Sequence, residues 1–323
     1  LLKTTAEQAL CFFRCSPDGI SGSLSVKESE NMNAKFQYGG QAVIEGVMMR
    51  GPSSRSIAVR RPDCTIIVDE KPVGSLTRRV PALKWPVVRG VVVLVEALVL
   101  GLEALVYSAN QATGEEERLT AKEVVITLAV SLGIAVLLFA VLPVAAAHLL
   151  EKIASGSFIQ NLVEGIFRIA VFVAYVVAIG RLSDIRRVFQ YHGAEHKVIN
   201  AYEAGDQLSV SRVQRYSTLH PRCGTSFILI VLIISILAFS LLGKQVLWWR
   251  ILSRILLLPA IAGISYELVK LSGRYAAVPL CRALIAPGMW LQKLTTGQPD
   301  DGQVEVAISA FKAVLEEGEQ IAG

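Results

Sequence analysis

The chain has 323 residues, of which 18% are charged, against about 25% in an ordinary soluble domain. With glycine counted and tyrosine left out, apolar residues come to roughly 58%, where about 45–50% is usual, and mean hydropathy is +0.50. This composition excludes a disordered chain and argues against a soluble globular enzyme, and the net charge of +5 includes no basic block interleaved with aromatics, so nucleic acid is not an expected partner.

The five cysteines, Cys11, Cys15, Cys64, Cys223 and Cys281, are odd in number and irregularly spaced, and they read as mostly reduced rather than as a disulfide framework. Residues 1–35 mix Ser, Gly and charge without periodicity and begin at Leu1, as expected of a disordered segment or targeting remnant. Residues 36–81 change to short β-type runs, Gln41 to Met49, Ser56 to Arg60 and Thr65 to Asp69. Gly-Gly, Gly-Pro, Arg-Pro and Lys-Pro breakers separate them, and the expectation is a β-rich cap of three or four strands, with Glu45 and Arg50 as solvated strand charges.

Within residues 82–115, the run Val87 to Ala112 is apolar, but Arg89, Glu96 and Glu103 recur every seven positions and share a helix face. An amphipathic surface or re-entrant helix is expected there, with a span as the alternative. Residues 116–271 are expected to form a four-span membrane domain. Residues 124–150 carry no formal charge, and about 20 residues suffice to cross a bilayer core. Phe158 to Gly180 is long enough and holds Glu164 and Arg168, which at i and i+4 can pair. Cys223 to Gly243 is again charge-free, and Val246 to Leu271 opens on an aromatic and basic edge, Trp248, Trp249, Arg250 and Arg254. The connector 181–225 carries seven Lys and Arg, whereas Glu151 to Ser157 and Gly243 to Val246 carry one each, which puts the connector on the inner side. Residues 272–323 read as a C-terminal soluble segment with a helix over Val304 to Leu315.

The fold class is therefore mainly α: a polytopic membrane protein of about four transmembrane helices with a small N-terminal β-rich cap and a metal-binding inside connector. The expected address is the bacterial inner membrane or, in a photosynthetic eukaryote, a chloroplast membrane.

The chemistry concentrates in the connector. In His192-Gly193-Ala194-Glu195-His196 two imidazoles at i and i+4 project from one helix face, close enough to share a divalent ion, with Glu195 beside them. This is the H-x-x-E-H order, and a chain of this composition would show it by chance roughly 0.003 times. His220 and Cys223 stand three apart in a turn before an apolar run, and such N and S donors suit zinc ahead of other divalent transition metals. A catalytic zinc needs a third protein ligand and an open position, and His220, Cys223 and the distal Glu267 are the candidates. If His192, His196, His220 and Cys223 all bind, the shell closes and the site is structural. Glu203 shares the histidine face but lies too far along the helix from His196 for joint coordination.

Gly39 to Pro52 (GGQAVIEGVMMRGP), His192 to Lys197, His220 to Phe227 and Ser265-Tyr266-Glu267 together resemble the YqhQ-like family of integral membrane proteins. The resemblance runs from about Phe36 to Leu315. It implies a membrane protein of a family of unknown function often labelled a predicted metal-dependent enzyme, and it supplies no substrate. The resulting expectation is a zinc hydrolase at the inner membrane face, with Glu195 as the general base and a membrane lipid or membrane-protein substrate. The alternative is a non-catalytic assembly or scaffold protein with a structural metal site. A transporter, suggested by Glu164, Arg168 and Glu267, lacks an inverted repeat.

Overall fold

The computed structural model describes residues 38–74, 80, 83, 85–112, 120–149, 156–243, 245–274 and 279–322. The disordered or targeting segment expected at 1–35 lies outside them. The described chain is mainly helical, with one small antiparallel sheet.

The sheet is a meander of β1 (Gly39–Val43), β2 (Gly46–Arg50), β3 (Ser54–Arg60) and β4 (Ile66–Pro72), in that spatial order. The run from Gln41 to Met49, which reads as one strand, is two: Val43 pairs with Gly46 across a turn at Ile44 and Glu45. Tight hairpins usually announce themselves with Asn-Gly or Asp-Gly, whereas here Glu45 itself takes a left-handed φ of 50°. Its carboxylate is no solvated strand charge. Arg187 donates to both of its oxygens at 2.5 Å, and the Tyr191 hydroxyl donates at 3.3 Å. Arg50 likewise has a partner, in Glu96 at 3.9 Å.

Helices follow as α1 (Val88–Ala112), α2 (Ala121–Val136), a π-helical turn (Leu137–Val141), α3 (Leu142–Leu149), α4 (Ser157–Ile179) and α5 (Ser183–Glu203). After them come α6 (Val210–Val213), α7 (Gly224–Ser240), α8 (Leu247–Arg274), α9 (Pro279–Thr295) and α10 (Asp301–Ala322). Strand alternation gives the sheet two apolar faces. Val47, Met49 and Ala58 join Tyr191, Ala194 and Val198 of α5 and Val304, Ala307, Phe311 and Val314 of α10 in one core. Val43, Met48, Ile57 and Val59 point the other way, onto Ala104 of α1. The sheet is thus a filled layer between α1 on one side and α5 with α10 on the other, sharing its core with connector and C-terminal segments.

Four stretches are long and apolar enough to cross a membrane: Val88–Ala112, Ala121–Leu149, Phe158–Ile179 and Leu247–Leu271. This set differs from the expected one at two places. α1 joins it on length and apolar composition, and each charge on its seven-residue stripe has a partner: Arg89 pairs with Glu267, Glu96 with Arg50, and Glu103 with Arg55. α7 falls short, with 17 residues or roughly 25 Å of rise, because Cys223 caps its start and the chain leaves the helix after Ser240.

Pro143 has no N–H to donate to the carbonyl of Phe139 one turn earlier, and the helix passes through its π-helical turn there. Arg168 Nε donates to that carbonyl oxygen at 2.9 Å, so α4 satisfies what the proline leaves open. Close crossings rest on glycine. A β-carbon on Gly90 would meet Gly263 of α8, and one on Gly288 would meet Ser226 of α7.

Candidate metal centre

α5 carries the site. It ends in a Schellman arrangement: Gly205 has φ 73°, its N–H donates to the carbonyl of Tyr202, and the Asp206 N–H donates to that of Ala201. One face of the helix presents His192, His196 and Asn200, spaced by four. The Asn200 amide donates to the carbonyls of Ser217 and Leu219 at 2.9 and 3.1 Å, and the Lys197 ammonium donates to that of Gln214 at 2.6 Å. From α9, Gln292 accepts from the His220 N–H and donates to the His220 carbonyl, both at 2.9 Å. The loop that delivers His220 and Cys223 is therefore clamped from two helices.

His192 Nδ1 lies 2.9 Å from the carbonyl oxygen of Thr295, and His196 Nδ1 lies 2.6 Å from that of Thr218. A carbonyl only accepts, so each Nδ1 carries a proton, and in the neutral ring Nε2 then keeps its lone pair. His192 Nε2 meets Cys223 Sγ at 3.2 Å. The donor atoms of His192, His196 and Cys223 all lie within 4.8 Å of one another. Cys223 is also the N-cap of α7, its sulfur accepting from the Thr225 N–H at 3.5 Å, so the positive end of that helix faces it. Imidazoles oriented by carbonyls through the far nitrogen are the usual second layer of a zinc site. Two imidazoles and a thiol fit zinc, with room in a tetrahedral shell for a fourth group.

The remaining candidates separate. His220 is buried beside His196, with ring centroids 5.7 Å apart, but its Nε2 faces Glu203 at 3.5 Å rather than the three donors. Glu203 is held by Arg222. Glu267 is not brought to the cluster; Arg89 grips it through two nitrogens at 2.6 to 3.1 Å. Glu195 is 5% exposed and lies against β1, where the Gly40 N–H reaches it. A β-carbon on Gly40 would clash first with the Met48 carbonyl oxygen, at 2.5 Å, and would also stand 3.1 Å from the Glu195 carboxyl carbon, so a glycine is required at this close approach, whereas Gly39 has open space around it.

Burial raises the Glu195 carboxyl above the usual range, although His192 and His220 pull it back. Burial lowers His196, partly offset by Cys223, and lowers His220, partly offset by Glu195. Neutral imidazoles are the metal-binding form. The backbone carbonyls of Thr218 and Thr295 carry no side-chain signature and are invisible to pattern reading. Gly40 and Asn200 were findable, the first as half of a Gly-Gly pair and the second by its spacing of four from His196.

A family model described as "Protein of unknown function (DUF1385)" matches residues 85–317. The chain is 36% identical over 293 residues to "Uncharacterized protein YqhQ" of Bacillus subtilis (strain 168), covering 86% of this chain and 92% of that protein. No solved structure matches it.

Proposed function

The chain belongs to the DUF1385 family of proteins of unknown function, and for it we propose a multi-pass membrane protein that acts as a zinc hydrolase at the membrane face. The carrying observation is the pair of imidazoles whose Nδ1 protons are committed to Thr295 and Thr218, leaving two Nε2 lone pairs converging with Cys223 Sγ. In this reading His192, His196 and Cys223 hold the ion, and Cys223 takes the role for which His220 and Glu267 were competitors. Zinc bound there supplies Lewis acidity and lowers the cost of ionising water. Glu195, buried next to the histidines, accepts the proton from the attacking water, and Gly40 orients its carboxylate.

Membrane residence is supported by the four long apolar helices and by outward-facing Leu98, Val125, Leu132, Leu237 and Leu256. A lipid or membrane-protein substrate is supported by an apolar cleft of about 370 Å³ between α1, α7 and α8. Its Phe227 stands one helical turn beyond Cys223.

One observation favours the second reading, a scaffold with a structural metal: His196 and Cys223 are both buried, as a closed site requires. Glu195→Gln separates the two. The substitution is nearly isosteric, and a general base supplies on the order of 10²–10⁴ in rate. In the hydrolase it abolishes most rescue of a null strain while zinc content stays normal. Full rescue with normal zinc excludes catalysis by Glu195 and leaves the scaffold.

A further inference from the structure

At the other end of α7, roughly 24 Å from Cys223 by helix rise, three guanidiniums surround one carboxylate. Glu164 of α4 accepts from Arg168 at 2.7 Å, from Arg250 Nε at 3.1 Å, and from Arg254 at 3.1 and 3.2 Å. All four side chains are buried, with relative exposures of 1% for Glu164 and 3–8% for the arginines. Phe239 of α7 lies under Arg168 and Arg254, at 5.2 and 4.3 Å from its ring centroid. The neutral partners are the Phe139 carbonyl for Arg168, and Asn161 Oδ1 and Ser253 Oγ for Arg254.

Among the described residues the charges do not balance: Glu164 is the one acid these three arginines pair with, which leaves two positive charges in an apolar bundle. A guanidinium does not shed its proton in a protein, so the excess cannot be relieved by titration. A second observation points the same way. The amide nitrogen of Gln160, one turn before Glu164 on the same face of α4, is buried and has no hydrogen-bond partner. Surplus positive charge shared between α4 and α8, and an unused buried donor one helical turn from Glu164, both call for acceptor oxygens carrying negative charge.

We infer that Gln160, Arg168, Arg250 and Arg254 form a binding site for a phosphate group, distinct from the His/His/Cys cluster. Arg250 stands next to Trp248 and Trp249, both exposed, and tryptophans of this kind sit at headgroup depth. The phosphate is that of a lipid headgroup or of free inorganic phosphate; both present the same oxygens to a planar guanidinium.

The test uses full-length protein purified and delipidated in dodecyl maltoside, which contains no phosphate. Thermal unfolding is followed during titration with short-chain phosphatidylglycerol and, separately, with inorganic phosphate, with chloride at matched ionic strength as control. A ligand that binds the folded state raises the midpoint with concentration. A rise saturating at lower concentration with the lipid supports the site and identifies a headgroup; a rise with inorganic phosphate alone supports it and identifies the free ion. Arg250→Gln should raise the half-saturating concentration on the order of tenfold or more, as expected for a lost charge-assisted bond. Gln160→Ala, which leaves the ion cluster intact and covers the case in which Arg250→Gln does not fold, should raise it several-fold. No rise with either probe overturns the inference, as does a rise undiminished in Gln160→Ala and in any folded Arg250→Gln.

Discussion

Gly193 and Gly297 meet backbone to backbone: a β-carbon on Gly193 would overlap the carbonyl oxygen of Gly297 and press on Thr218 Cγ2. The contact is sealed by the Gly297 N–H donating to the Phe189 carbonyl at 2.7 Å. It lies beside both carbonyls that orient the imidazoles, those of Thr295 and Thr218. The small residue inside the histidine motif is therefore a steric requirement for bringing α5 onto the loop after α9.

Gly193→Ala should cost about 1–3 kcal/mol, the usual range for overpacking a tight contact, and should lower zinc content with it. Gly224→Ala is the matched control, next to Cys223 with open space around a β-carbon, and it should stay within about 0.5 kcal/mol. Denaturant unfolding with parallel metal analysis checks both. Equal effects would show that the Gly193 contact does not constrain the site.

Metal occupancy should follow the geometry of the donors. Purified protein prepared without chelator should hold about one zinc per chain. His192→Ala, His196→Ala and Cys223→Ser should each weaken zinc by more than the roughly 10–100-fold that losing an outer-shell partner costs. Glu267→Gln, paired with Arg89, and His148→Ala, in the last turn of α3 and outside the donor cluster, should not weaken it. Competition with a chromophoric chelator ranks the variants, and metal-free folded wild type would remove the zinc proposal.

Much of this site was legible in the sequence because helix spacing is rigid: imidazoles four apart must share a face. Which third residue joins them depends on how loops close, and periodicity is blind to that. Glu267 looked suitable as a distal acid until Arg89, 178 positions away, took it. The sheet was readable from breakers, but the turn at Ile44 and Glu45 was not, since neither residue type favours a turn. α1 shows a different limit. Its charge stripe reads as amphipathic when the chain is taken alone, and only the partners on β2, β3 and α8 neutralise it.

Arg89 and Glu267 should behave as a structural pair. Each side chain is about a quarter exposed, so screening holds their coupling to about 1 kcal/mol, the upper end for exposed pairs. A double-mutant cycle of Arg89→Gln and Glu267→Gln on unfolding stability measures it. Coupling near zero would show that the pair does not tie α1 to α8.

The loop after α5 should face the more basic compartment. Ser209 is exposed, and Ser209→Cys on a background that keeps only the buried Cys223 should react with an impermeant thiol reagent from the inner side. Reaction only from the outer side would reverse the topology and move the candidate metal centre to the opposite face.

The burial of the sheet between α1 and α10 sets a timetable. α1 follows the strands closely, and its face of the sheet can close while the chain is still short. The other face waits for α10: the Ser56 hydroxyl donates to the Ala310 carbonyl, 254 positions later. At roughly 5–20 residues per second, the face carrying Val47, Met49 and Ala58 lacks α10 for about 10–50 s of synthesis. α5 shares that core and is made before α10, so its histidines reach their finished setting only when α10 arrives. In the zinc reading, the finished donor set forms only once α10 has docked on the sheet.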